Sequence, residues 1–243
     1  MTMKPWFAAL ALAVLAILAS PSARAADVVV VASNVPAYKA GQVIDSAAAL
    51  DLAAGQKLTC IAANGKSVTR AGPYKGPVWD TTPPSGDKKF IEGLASLASG
   101  QGKGGQTLGA VRGAKSGEPE DAWAVDVGRA GNHCVAAGKA PVLWRAPAER
   151  AAVLNLAGAK EEGRAQAEWP AGVPTLAWPP EVKLQDGAVY MARLDVSPTA
   201  KRLVIRVVPD SLISDAHRAV WMAQAGCTHQ GRLLLWGASG AQD

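Results

Sequence analysis

Short apolar segments that alternate with turn residues fill the second half of the chain, and this pattern limits the possible folds most strongly. Eight such segments lie between Ala122 and Val208, separated by Gly, Pro and charged residues: AWAVDV, HCVAA, PVLWR, AAVLNLA, GRAQAEW, TLAW, VYMARLD and KRLVIRVV. Segments of this length and spacing are typical of strands in a β-sandwich. The sequence therefore predicts a mainly β protein whose larger unit, residues 122–243, is a sandwich of immunoglobulin-like architecture with C-terminal helices.

The end of that unit changes character after the last predicted strand. Ser214 is a good helix N-cap, the residues from Ala216 to Ala225 are mostly strong helix formers, and Gly226 is a typical terminator. A second short helix is predicted over Gly231 to Trp236. A few short helices should therefore accompany the two β units.

A smaller antiparallel β unit is predicted at residues 26–80. Val28 to Val31 form a continuous β-branched run, and short alternating segments follow between Ala49 and Gly72. The dipeptide Asn64-Gly65 separates two of them. Asn-Gly favours a type I′ hairpin turn, because both central residues of that turn need a positive φ.

Glycine and aliphatic residues of this smaller unit follow a recognisable spacing. The pattern consists of Gly41-Gln42, Ile44, Leu50, Leu52, Gly55, Leu58, Ile61, Gly65 and Gly72-Pro73. It resembles the small β domain of FecR-type (ferric-citrate-regulator-type) proteins, which pass signals from an outer-membrane receptor through a membrane span to a sigma factor. The resemblance implies a small β fold and a location in the bacterial envelope. It does not imply signal transduction, because the sequence shows no such span and no cytoplasmic segment.

Residues 81–121 are predicted to connect the two β units. Their apolar residues Phe90, Ile91, Leu94, Leu97 and Ala98 fall on one face of a helix of about Asp87 to Ala98, which should dock on a β face. A Gly-rich linker follows, and its stretch Gly100–Gly105 matches G-x-G-x-x-G. That fingerprint binds dinucleotides only between a strand and a helix, and here a helix precedes it. We therefore interpret it as linker and expect no cofactor.

Residues 1–25 have the features of a cleavable secretory signal peptide. Lys4 precedes an apolar run from Trp6 to Ala19, and the small-x-small triplet Ala23-Arg24-Ala25 follows. The apolar run is shorter than the about 20 residues that span a bilayer. We expect cleavage before Ala26, a periplasmic location and no stable membrane insertion afterwards. A net charge of +5 for the whole chain is too small to indicate a nucleic-acid partner.

Three cysteines, Cys60, Cys134 and Cys227, would enter that oxidising compartment. Two of them should form a disulfide there, and we predict the pair Cys134 and Cys227, which links the first strands of the second unit to the helix after its last strand. Cys60 lies at an alternating strand position within KLTCIAA and should be a buried thiol that acts as a small hydrophobe.

Two histidines beside these cysteines leave a metal site as the alternative. His133, Cys134, Cys227 and His229 have the ligand types of a tetrahedral zinc site. The adjacent pair His133-Cys134 does not fit the usual ligand spacing, because neighbouring residues on a strand point to opposite faces. An oxidising compartment favours the disulfide, and a Cys-His nucleophile is disfavoured because an oxidised cysteine cannot attack.

Two Trp-Pro steps, Trp169-Pro170 and Trp178-Pro179, have two interpretations. Trp at a strand end is most often core, and Pro cannot extend a ladder of hydrogen bonds. The alternative is an exposed aromatic surface that binds cell-wall sugars or peptides. Trp144 follows Cys134 by ten residues, as in an immunoglobulin core, but the second cysteine lies beyond the last predicted strand.

Motifs for catalysis are missing from the sequence. It contains no G-x-S-x-G, no H-E-x-x-H and no complete Walker sequence, and it has three histidines. Its clustered acidic residues, Glu118, Glu120 and Asp121 and also Glu161 and Glu162, lie in predicted loops. We therefore expect a non-enzymatic accessory or binding protein of the cell envelope that engages another envelope or signalling protein. A protein that binds or hydrolyses cell-wall material through the Trp-Pro steps is the alternative.

Overall fold

The computed structural model of the protein describes residues 26–100, 117–160 and 163–240. The predicted signal peptide, most of the Gly-rich linker with its G-x-G-x-x-G stretch, and the pair Glu161 and Glu162 lie outside the described residues. Strands outnumber helices by a wide margin in the described parts of the chain, so the prediction of a mainly β protein is confirmed.

Six strands and one helix make up the first part. They are β1 (Asp27–Ser33), β2 (Val43–Asp45), β3 (Ala49–Leu52), β4 (Lys57–Ala62), β5 (Ser67–Ala71), β6 (Tyr74–Pro77) and α1 (Lys88–Ala98). One antiparallel sheet has the order β2-β1-β4-β5, and β3 pairs with β6 in a second. The continuous run in β1 is apolar because both of its faces are buried. Val28 and Val30 pack with Leu50 and Leu52 inside the β unit, while Val29 packs toward the helices.

The hairpin between β4 and β5 forms where Asn64-Gly65 predicts one, but its turn differs from the prediction. The Gly65 amide donates to the Ala62 carbonyl over 2.9 Å, so the central residues of the turn are Ala63 and Asn64. Gly65 comes after the turn with φ of +76°. This arrangement is the three-residue type of hairpin loop, in which glycine follows a tight turn in the left-handed region.

Eight strands and two helices make up the second part. They are β7 (Val125–Asp126), β8 (Gly131–Ala136), β9 (Val142–Trp144), β10 (Ala152–Gly158), β11 (Arg164–Trp169), β12 (Thr175–Ala177), β13 (Val189–Leu194), β14 (Lys201–Val208), α2 (Asp215–Gln224) and α3 (Thr228–Gly240). Each of the eight segments that predict strands overlaps one of these strands. Helix α3 is longer at both ends than the predicted Gly231 to Trp236.

Strands β7 to β14 form two sheets that share one core. The five-stranded sheet has the order β11-β10-β13-β14-β8, and the three-stranded sheet has the order β12-β9-β7. Leu143 of the smaller sheet packs in one cluster with Leu154, Tyr190 and Leu203 of the larger. Strand β8 pairs parallel to β14, and β7 pairs parallel to β9, whereas the immunoglobulin fold is antiparallel. The likeness to immunoglobulins is therefore limited to the sandwich arrangement.

A layer of three helices lies between the two β units. Helix α1 contacts both β1 and α2, and α2 contacts α3 and β14. The side chains of Asp87 and Ser214 cap α1 and α2, and Gly226 takes a φ of +87° between α2 and α3. The predicted helix therefore docks on a β face, and in addition it shares a core with the C-terminal helices. No helix in the described ranges is long and apolar enough to cross a membrane.

Candidate functional site

The cysteine pairing is the first sequence prediction that the structure tests directly. Cys134 in β8 and Cys227 between α2 and α3 form a disulfide with 5.9 Å between their Cα atoms. Cys60 is a free, buried thiol in β4, and burial raises its pKa to about 12. Both predictions for the cysteines are confirmed. The bridge joins the outward side of the larger sheet to the helical layer, and it does not link the two sheets of the sandwich.

The four-residue zinc alternative is wrong, because both of its cysteines are oxidised. His133 points to the opposite side of β8 from Cys134, and its Nε2 lies 2.8 Å from the carbonyl oxygen of Arg129. Burial lowers the pKa of both His133 and His229, so the neutral imidazole is favoured at each position. Within the described ranges, no group of three His, Cys, Asp or Glu residues is placed to hold a metal ion.

Gln230 holds the region around the disulfide in place, a role that the sequence does not predict. Its side-chain oxygen accepts from the Cys134 amide at 2.7 Å, and its side-chain nitrogen donates to the carbonyls of Cys134 and Ala122, each at 2.9 Å. Gln230 is 5 % exposed, so these bonds form in a water-poor environment where unpaired polar groups are costly. A glutamine in a helix has no sequence signature that distinguishes such a role.

The Trp-Pro steps are part of the core, and the exposed aromatic surface proposed as their alternative role is therefore wrong. Trp169 is 1 % exposed and Trp178 is 8 % exposed. The Trp178 indole donates to the Val182 carbonyl at 2.7 Å and meets the Tyr190 ring edge to face. Of the two prolines, Pro179 is buried and Pro170 is exposed.

Arg145 explains how the end of β11 is held in place. Its guanidinium lies 5.1 Å above the Trp169 ring, and Nη2 donates to the carbonyls of Arg150 and Pro170 at 2.7 and 2.9 Å. Arg145 is 3 % exposed. A buried cation with carbonyl and aromatic partners stabilises a loop, so we assign Arg145 to the framework of the sandwich.

The outward side of β10, β11, β13 and the first part of β14 is open, whereas Cys134 of β8 and Val208 at the end of β14 pack against the helical layer. Leu154, Leu156, Ala192 and Leu203 point into the core, so their neighbours along each strand point outward. The outward residues form what we call the arginine face: Val153, Asn155, Ala157, Arg164, Gln166, Glu168, Val189, Met191, Arg193, Arg202 and Val204.

Strand register places the arginines of this face around a small apolar centre. Arg164 pairs with Ala157, Ala157 with Met191, and Met191 with Arg202, which gives one row across four strands. Arg193 lies in the next row, two residues along β13 from Met191. Neighbouring strands are about 4.8 Å apart, so the cationic groups flank a strip of Ala157, Met191 and Val204.

Exposure and charge distinguish the arginine face from an ordinary sheet surface. Arg164, Arg193 and Arg202 are exposed and form no ion pair with any described residue. Glu168 is the acidic member of the face, and Met191 is 39 % exposed at its centre. A flat, cationic surface with an apolar middle can bind an acidic protein surface, because charge attracts the partner and apolar contact retains it.

Comparison of the chain with protein-family models, with curated proteins and with solved structures found no match. The resemblance to FecR-type proteins therefore remains a prediction that depends on the spacing of glycine and aliphatic residues.

Proposed function

We propose that the protein is an exported, non-enzymatic binding protein of the bacterial cell envelope, which engages another envelope protein through the arginine face. The observation that carries the proposal is the open side of the five-stranded sheet, where three arginines without ion pairs in the described chain surround Met191. The partner should present carboxylates around an apolar centre. The signal-peptide pattern and the FecR-like spacing support the envelope as the location.

The shape of this face supports a protein partner over a small molecule. It is the outward side of four paired strands, with side chains that project at regular spacing, and the two clefts described in the structure are lined by residues outside this face. Protein interfaces of ordinary size are formed by about 20 to 30 residues on each side, with an apolar middle and a polar rim. The arginine face supplies about half of that number, and the loops that border it could supply the rest.

Photo-cross-linking in cells of the native organism tests the proposal. A photoreactive amino acid replaces Met191 in one strain and Val43 in another, since these residues are 39 % and 43 % exposed and lie in different β units. We expect a cross-link to one envelope protein from position 191 and none from position 43. The combined variant Arg164→Glu, Arg193→Glu and Arg202→Glu should abolish the cross-link.

A matched variant controls for the change in net charge. Lys39→Glu, Lys75→Glu and Lys88→Glu alter three exposed lysines of the first part by the same amount and should leave the cross-link intact. The proposal fails if position 191 yields no product, if it cross-links to a second copy of the same chain, or if both charge variants abolish the product equally.

A further inference from the structure

The smaller sheet of the sandwich carries a second surface, which is concave. A cleft of about 830 Å³ lies beside β9 and β12. Its lining includes Trp144 from β9, Thr175 from β12, and residues of two loops, 117–121 and 146–149. This cleft is unrelated to the arginine face, which belongs to the other sheet, so the inference below does not depend on the proposed function.

Trp144 faces this cleft and lies outside the core of the sandwich. Its neighbour Leu143 is fully buried among the core residues, and side chains alternate along a strand, so Trp144 points away from that core. Trp144 belongs to none of the three apolar clusters of the described chain, although it is 8 % exposed. The loops that form the cleft therefore cover it.

No hydrogen bond joins the indole nitrogen of Trp144 to another described residue, and this nitrogen is not among the fully buried side-chain atoms without a partner. The other two tryptophans of the sandwich differ from it: the indole nitrogen of Trp178 donates to the Val182 carbonyl, and that of Trp169 is fully buried without a partner. Trp144 is more than nine-tenths buried and lines the cleft, so its donor is available to a ligand that brings an acceptor.

Four carboxylates line the same cleft as this indole, together with one buried cation, Arg145, whose Nη2 is bonded to backbone carbonyls. Glu118, Glu120, Asp121 and Glu149 all line the cleft, and none forms an ion pair with a described residue. One oxygen of Asp121 accepts from the Trp123 amide at 2.9 Å, which fixes that side chain in its loop. Cations are attracted both by the carboxylates and by the face of an indole ring.

We propose that the cleft binds a short basic peptide segment. A backbone carbonyl of the peptide accepts from the Trp144 indole, and lysine or arginine side chains lie among the four carboxylates. A peptide fits these observations better than a simple cation, because a simple cation brings no acceptor for the indole. Volumes of about 300 to 1,000 Å³ are typical of sites that enclose small ligands, and the cleft lies within that range.

Calorimetric titration of the mature protein with N-acetylated, C-amidated tetralysine tests this assignment. We expect saturable binding with one site, and binding at least about tenfold weaker for spermidine, which carries charge without a carbonyl. The assignment is overturned if tetralysine does not bind at millimolar concentration, or if spermidine binds equally well.

Two variants locate the binding. The combined variant Glu120→Gln, Asp121→Asn and Glu149→Gln changes exposed side chains and should weaken the binding of tetralysine by about tenfold or more. Trp144→Phe keeps an aromatic ring but removes the hydrogen-bond donor. It should weaken the binding of tetralysine by about three- to tenfold and leave the binding of spermidine unchanged.

A matched control removes three carboxylates elsewhere. Asp51→Asn, Asp80→Asn and Glu92→Gln are 74 %, 71 % and 62 % exposed in the first part of the chain, and should change the dissociation constant by less than about twofold. If this control weakened the binding of tetralysine equally, that binding would depend only on the net charge of the protein, and the assignment would be overturned.

Discussion

The two sheets of the sandwich present outer surfaces of opposite character. On the five-stranded sheet the outward residues form the open arginine face around Met191, whereas on the three-stranded sheet loops cover Trp144 and leave a cleft lined by carboxylates. Both surfaces are built on strands that share one core. The loops account for this difference, because an uncovered sheet suits a broad protein surface and a covered one suits a small segment.

Removal of the disulfide should have the largest effect on the framework that both surfaces share. The bridge closes a loop of 93 residues, and the chain-entropy model gives a loss of about 4 to 5 kcal/mol for the combined variant Cys134→Ala and Cys227→Ala. Urea denaturation measures this loss. Cys60→Ala is the control, and we expect it to cost about 1 kcal/mol or less, since it removes one small buried group.

This expectation would be contradicted by a combined variant that unfolds at the same urea concentration as the wild type. In that case Gln230, which bonds to both backbone groups of Cys134, would hold the sheet against the helices without help from the bridge.

The next largest effect separates a buried arginine from an exposed one. Arg145→Met removes the side-chain donor to the Arg150 carbonyl and the shorter of the two hydrogen bonds to the Pro170 carbonyl, and we expect a loss of about 2 to 4 kcal/mol in the free energy of unfolding. Arg193→Met removes an exposed side chain of the arginine face and should change that free energy by less than about 0.5 kcal/mol. Chemical denaturation of both variants checks the difference, and equal losses would refute the assignment of Arg145 to the framework.

A smaller effect separates the tryptophan of the core from that of the cleft. Trp178→Phe should cost about 1 to 3 kcal/mol, because it removes buried volume and leaves the Val182 carbonyl without its donor. Trp144→Phe loses no hydrogen bond within the described chain and should cost less. Thermal unfolding of the two variants tests this order. A more damaging Trp144→Phe would mean that its indole stabilises the fold.

The smallest expected effect is a pH-dependent loss of stability that comes from His133, the neighbour of Cys134 in β8. Burial is the main cause that lowers the pKa of His133; the hydrogen bond to the Arg129 carbonyl and the charge of Asp126 oppose it in part, and Arg129 and His229 lower it slightly further. Below about pH 6.5 the unfolded chain takes up a proton that the folded chain resists, so stability is complete above that pH and decreases as the pH falls.

Urea denaturation at pH 7.5 and pH 5.5 measures this loss. The variant His133→Gln should lose less stability between the two pH values than the wild type does. An unchanged pH dependence would show that other groups account for it. His217→Gln should reduce the pH dependence as well, because burial also lowers the pKa of His217 in α2, and the two variants together give the share of each histidine.

Much of the fold could be predicted because local patterns determine it. Strand β14 coincides with the segment KRLVIRVV, helix α1 lies within the predicted Asp87 to Ala98, and the pairing of Cys134 with Cys227 follows from compartment and position. The parallel pairing of β8 with β14 and the shared helical layer were not predicted. They depend on contacts between residues that are far apart in sequence, which periodicity does not report.

The candidate sites were less predictable than the fold. Arg164, Arg193 and Arg202 lie on three strands and become neighbours only through strand register. Glu118, Glu120 and Asp121 lie in a predicted loop, and only the tertiary fold shows that they line one cleft with Trp144. The Trp-Pro steps show the reverse case, in which the sequence suggests a binding surface and the structure shows core residues. An aromatic residue beside proline gives the same sequence signal in a core and on a surface.

One series of ¹⁵N NMR spectra tests the central claim that the two outer surfaces bind ligands of opposite charge. With tetralysine, we expect the indole resonance of Trp144 to shift while the side-chain Nε resonances of Arg193 and Arg202 stay in place. Tetraglutamate should shift the two arginine resonances and leave Trp144 unchanged. A Trp144 resonance that does not respond to tetralysine, or one set of resonances that shifts with both peptides, would contradict the assignment of opposite ligand charges to the two surfaces.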